Sequence, residues 1–93
     1  MDLIIPALNE SARLQRTLER LAKLYAGKKK KVRVMVVCEG SCSFHQPKNL
    51  HVRRINATSR GKWASINQGI ALAKGNVIVI DADLPFDEKI LIA

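Results

Sequence analysis

Residues 77 to 80 read Val-Ile-Val-Ile, an unbroken apolar run. A strand points successive side chains to opposite faces, so a strand here has no face suited to water. Helices must cover it on both sides, which points to an α/β layer architecture. The rest of the chain supplies the parts. "DLIIPAL" (2–8) is a short apolar run that Pro6 interrupts, so a first strand is expected to end near Ile5. Leu14, Leu18, Leu21 and Tyr25 then recur at helical steps on one face, with Asn9 or Ser11 to cap the start and Gly27 to suit the end. "VRVMVV" (32–37) makes a second strand, and the more polar "LHVRRI" (50–55) a third, expected at a sheet edge. Trp63, Ile66, Ile70 and Ala73 mark the expected face of a second helix, which Gly75 terminates. "NVIVI" (76–80) is the fourth strand, and Pro85 suits the first turn of a last helix. This order implies parallel strands joined by right-handed crossovers, hence an open, mainly parallel sheet of about four strands with helices on both faces.

At 93 residues with 47% hydrophobic composition, the chain fits one small globular domain. No apolar stretch approaches the ~20 residues of a membrane span, and "MDLIIPALNE" does not read as a signal peptide, so a cytoplasmic setting is expected. The formal net charge of +8 attracts anions: nucleic acid, phosphorylated ligands or an anionic membrane surface. Lys28 to Lys31 dominate that balance and read most simply as a solvated connector. Cys38 and Cys42, followed by His45 and His51, invite a zinc site. Their spacing fits no common zinc module, and Cys38 ends an apolar run, so inert thiols are the better reading. The two histidines are assigned to loop and edge-strand surface.

In open α/β sheets, ligands bind outside the carboxyl ends of the strands. Asn9 and Glu10 follow the first strand, Glu39, Gly40 and Ser41 leave the second, and Asp81 and Asp83 follow the fourth. Two carboxylates one residue apart can share Mg²⁺ or Mn²⁺ at a turn, with phosphate oxygens and water completing the shell. The ordinary alternative is that Asp83 caps the helix beginning at Pro85. Gly61 permits a tight turn into the second helix, and Lys62 sits where a cation could meet phosphate; alone it would be a solvated lysine. Gly69, inside that helix, is explained by close packing on a strand.

Four stretches, "IIPALNE", "VVCEGS", "GKWASINQGIALAKGN" and "VIDADLP", together resemble the nucleotide-sugar-binding half of a family 2 glycosyltransferase. The resemblance spans almost the whole chain and implies a Rossmann-like N-terminal half of a GT-A fold. Its D-A-D-L form and the Asn-Glu after the first strand most resemble the dolichyl- or polyprenyl-phosphate sugar synthases. By position, it implies that Pro6, Leu8 and Glu10 line the base and ribose pocket and that Val37 and Glu39 contact the nucleoside. It implies further that Asp81 and Ala82 border nucleoside and sugar, that Asp83 holds the metal with Asp81 beside it, and that Gly61 and Lys62 close the phosphate side. Cys38 and Glu39 replace the paired aspartates of the family's V-D-D-G-S, and Leu8 stands where the lipid-phosphate synthases usually carry an aromatic.

Family catalytic domains continue past the D-x-D, and the continuation carries the acceptor pocket and, in many members, the catalytic base. Residues 1–93 are therefore expected to form a single, truncated nucleotide-sugar-binding domain that lacks the base. Self-association is expected to cover its unfinished sheet. The implied function is metal-assisted transfer of a sugar from a nucleotide diphosphate to a lipid-phosphate or saccharide acceptor. The alternatives are a nucleotide-sugar-binding module without turnover and a nucleic-acid binder driven by charge. Against the last stand the acidic crevice and an aromatic content of only 4%, which leaves single strands few stacking platforms.

Overall fold

The computed structural model describes residues 1–27 and 32–81. The lysine run, the expected helix at Pro85, Ala82 and Asp83 lie outside them. The elements are β1 (Asp2–Leu8), α1 (Ala12–Tyr25), β2 (Arg33–Glu39), β3 (His51–Asn56), α2 (Lys62–Leu72) and β4 (Val77–Val79). The four strands form one sheet in the order β3-β2-β1-β4, and every pairing is parallel. The polar third strand stands at an edge, as its sequence suggests.

Alternation along β1 divides the core. Leu3, Ile5 and Ala7 pack with Leu14, Leu18, Leu21 and Tyr25 of α1 on one side of the sheet. Ile4 joins Met35 and Val37 of β2 on the other side, where Gly69 of α2 presses against Ile4. The two helices therefore cover opposite faces. The three leucines of α1 are fully buried, each worth about 2 kcal/mol on removal from water.

Three expectations are corrected. β1 does not end at Ile5 but runs through Pro6 to Leu8, in register with β2 as Pro6↔Val37 and Leu8↔Glu39. The reason is the direction of the missing N–H. Asp2 donates its amide to the Asn76 carbonyl on the β4 side, and alternate residues of a strand point their amides the same way. The amide that Pro6 lacks would therefore face β4, whose pairing with β1 stops at Ile4↔Val79, while the bonds to β2 are untouched.

The second correction concerns α2. Its buried residues are Ser65, Ile66 and Gly69, whereas Trp63 is 75% exposed and Ile70 48% exposed. Of the expected face, Ile66 is buried and Ala73 packs against the Ile4, Met35 and Val37 cluster, but the small residues Ser65 and Gly69 take the places on the sheet expected of Trp63 and Ile70. Third, Cys38 and Cys42 are not separate inert thiols: they form a disulfide. The chain turns at Gly40, where φ is +79°, and this brings the two Cα atoms to 6.1 Å.

Candidate functional site

β1 leads into α1 on one face of the sheet and α2 leads into β4 on the other, and ligands of open α/β sheets bind in the crevice beyond the strand ends. Here it is a cleft of about 430 Å³. Pro6, Ala7, Leu8 and Glu10 line it from the end of β1, Glu39 from β2, and Asp81 from just past β4. Gly61, Lys62 and Ser65 enter from the start of α2, and Arg13 from the first turn of α1.

Local chemistry holds these groups in place. The Asn9 amide donates to the Glu39 carbonyl at 3.1 Å, and the Asn9 side-chain oxygen accepts the Ser41 amide at 2.9 Å. These bonds tie the ends of β1 and β2 together. A side chain at position 40 would collide with that oxygen, which lies 2.2 Å from where its Cβ would sit, so Gly40 is required for the tie. Glu39 Oε1 accepts the Gly61 amide at 2.7 Å and fixes the turn into α2. Gly61 takes φ +103°, a conformation that side chains resist.

The first turn of α2 carries neither an acidic residue nor a cap from its own N-cap side chain; the Glu39 carboxylate takes the Gly61 amide, and the dipole and the amides that follow Gly61 favour an anion. Lys62 Nζ forms an ion pair with Asp81 across the cleft, bringing the end of β4 to the start of α2. Three carboxyl-bearing residues and two cationic ones thus share the cleft. Asp81 is the described half of the expected metal pair, and no cluster of three metal-ligating side chains occurs among the described residues. A hard cation needs only one or two protein carboxylates when phosphate supplies the rest of its shell, so the oxygen donors suit Mg²⁺ or Mn²⁺.

Of the residues singled out from sequence, Pro6, Leu8, Glu10, Glu39, Gly61, Lys62 and Asp81 come together in the cleft. Val37 does not line it. Two residues before Glu39 on the same side of β2, it is fully buried beside Ile4 and Met35. Ala7, Arg13 and Ser65 line the cleft without having been singled out. For Arg13 a signal existed: a cation in a helix's first turn is unfavourable beside the dipole and invites a functional explanation. His45 and His51 are exposed, in a loop and on the edge strand.

The sequence model of glycosyl transferase family 2 matches residues 2–91, nearly the whole chain. The chain belongs to that family, and its all-parallel sheet with two flanking helices is the Rossmann-like half of a GT-A fold. No curated protein and no solved structure matches it. Among the described residues, no helix is long and apolar enough to cross a membrane.

Proposed function

We propose that the cleft binds a nucleotide-diphosphate sugar and presents its anomeric carbon to a lipid-phosphate or saccharide acceptor, as in the polyprenyl-phosphate sugar synthases. The observation that carries this reading is the meeting of α2's N-terminus and Lys62 with Asp81 at the strand ends. Pro6, Leu8 and Glu10 bound the nucleoside side of the cleft, and Glu39 positions the Gly61 turn. The diphosphate lies at the first turn of α2, where Lys62 turns from Asp81 to the phosphate oxygens. Asp81 and Asp83 would hold Mg²⁺ or Mn²⁺, which supplies charge neutralisation for the departing diphosphate. Arg13 adds a second cation to the anion-binding wall. The acceptor oxygen bonds to the anomeric carbon as the bond to the diphosphate breaks; a lipid phosphate attacks as its oxyanion, whereas a saccharide hydroxyl gives its proton to a base or to solvent.

Calorimetric titration with UDP-glucose and GDP-mannose, with and without Mn²⁺, tests the donor site. Metal-dependent binding that Asp83→Asn abolishes supports it, and the preferred nucleotide narrows the subfamily. Lys62→Met should weaken binding about tenfold, the effect of losing one charge-assisted bond to phosphate. Absence of binding to both donors would overturn the proposal. Binding without transfer to any acceptor would leave a nucleotide-sugar-binding module.

A further inference from the structure

The Cys38–Cys42 bond encloses Glu39, Gly40 and Ser41, the residues of β2's end that tie the walls of the cleft together. Glu39 accepts the Gly61 amide at the start of α2, and Ser41 donates its amide to Asn9 at the end of β1. Gly40 leaves room for that Asn9 oxygen. Cys38 and Glu39 are neighbours on a strand and so point to opposite faces. Cys38 joins the core cluster of Ala7 and Leu14 on the α1 side, while Glu39 reaches α2. The disulfide thus fixes from one face the same stretch of backbone that the cleft depends on from the other.

A bond that served overall stability would be placed differently. Cross-linking gains most against the unfolded chain when it closes a long loop, and these cysteines are only four positions apart. The surroundings also suit both redox states. The Cys42 sulfur lies 3.7 Å from the Ala7 carbonyl oxygen and the Cys38 sulfur 3.5 Å from that of Gly40. A thiol can donate to such an oxygen, and a disulfide cannot. Arg54 places Nη2 3.8 Å from the Cys38 sulfur, where its charge favours a thiolate. Cys42 lines a second cavity of about 530 Å³, within residues 41–47, which form neither helix nor strand. Both half-cystines are buried, so exchange proceeds through local opening of this segment.

We propose that the Cys38–Cys42 disulfide is a reversible redox switch on the shape of the cleft, opened by a dithiol. One thiolate of the dithiol attacks the Cys42 sulfur from the second cavity, the S–S bond breaks, and Cys38 leaves as a thiolate beside Arg54. The dithiol's other sulfur then attacks its partner in the mixed disulfide and releases Cys42. The dithiol gives up two electrons and becomes a cyclic disulfide, and its two protons end on the two cysteines. With the bond open, residues 39–41 lose their constraint, Glu39 releases the Gly61 amide, and the turn into α2 loosens. The switch acts on the cleft whatever ligand it takes; only its effect on nucleotide affinity rests on the donor reading above.

Amide spectra of the full chain, recorded without nucleotide after oxidation in air, after dithiothreitol and after reoxidation, test the switch alongside thiol titration. The expected result is no free thiol before reduction and two after it, with the amides of Leu3 and Leu18 unmoved and reversible shifts at Ser41 and Gly61. Glu39→Ala should abolish the Gly61 response to reduction and keep that of Ser41. UDP or GDP should bind the reduced chain about fivefold more weakly, the low end of coupling between sites.

Shifts confined to residues 38–43 would overturn the proposal and leave a local cross-link. Loss of the whole folded spectrum on reduction would overturn it by making the bond a condition of folding. So would two free thiols after oxidation in air, or a bond that dithiothreitol leaves intact. Equal nucleotide affinity in both forms would overturn the link to binding. No nucleotide binding to either form, with Gly61 still responding, would overturn the donor reading and leave the switch standing.

Discussion

The two helices cover opposite faces of one sheet by different means. α1 buries Leu14, Leu18 and Leu21 and turns Arg13, Arg16, Glu19, Arg20 and Lys23 to water. α2 buries Ser65, Ile66 and Gly69 and leaves Trp63 and Ile70 outside. The first is held by apolar area removed from water. The second is held by close backbone approach and by its ends: Lys62 pairs with Asp81, and the Lys74 amide donates to Asp2 at 2.9 Å. A helix fixed at its ends, with its first turn at the cleft, is placed for positioning a ligand more than for filling a core.

The contrast is sharpest in the response to truncation. Leu18→Ala should cost about 3 kcal/mol in urea denaturation, through lost transfer energy and the cavity left behind. Ile70→Ser, at an equally apolar position of the other helix, should stay within about 0.5 kcal/mol. Comparable losses at the two sites would break the distinction between the helices.

Asp2 is next in size. It is buried, with Arg33 Nε at 2.8 Å from one oxygen, while Arg33 Nη2 and the Lys74 amide bond the other. Burial pushes its pKa up, but the Lys74 amide and the Arg33 guanidinium outweigh that and leave it below the ordinary value of 3.8. A lowered folded-state pKa means that the stabilisation is fully present above the ordinary carboxylate range. It is lost as pH falls from there through the lower, folded value. Asp2→Asn should cost about 2 kcal/mol at neutral pH, a partial figure for a buried pair because Arg33 is half exposed, and should flatten that acid limb. An unchanged stability–pH profile in the variant would show that Asp2 does not anchor the end of α2.

Gly69→Ala should have the smallest resolvable effect, about 1 kcal/mol of destabilisation. A Cβ there would lie 2.8 Å from Ile4 Cγ2, and the fully buried, β-branched Ile4 has little room to yield. That overlap outweighs the helix propensity that alanine gains. Stabilisation instead would mean that α2 can lift from the sheet without penalty.

The same contrast explains what could be read from sequence. The leucines of α1 follow helical spacing because area burial writes itself as a period of large residues. Packing by close approach uses small residues, so Ser65 and Gly69 are silent; Ile66 and Ala73 were legible, while Trp63 and Ile70 pulled the expected face round the helix. Pro6 suggested a strand end because a lost amide is legible, whereas the side of the strand that it faces depends on its neighbours. Glu10, Glu39 and Asp81 were legible at the cleft because strand ends in a parallel sheet share one edge, and Lys62 because it opens the helix after the Gly61 turn. The cysteines misled because their proximity comes from the turn at Gly40, not from any spacing pattern. Val37, which the resemblance placed at the nucleoside, lies in the core, because it precedes Glu39 by two residues on the same face of β2.

The most direct test of the donor site is amide chemical-shift mapping of the full chain during titration with UDP and GDP in Mg²⁺. The expected perturbations centre on Gly61, Lys62 and Trp63 at the start of α2, on Ala7 and Leu8, and on Asp81. Shifts confined to other surfaces, or none with either nucleotide, would contradict it.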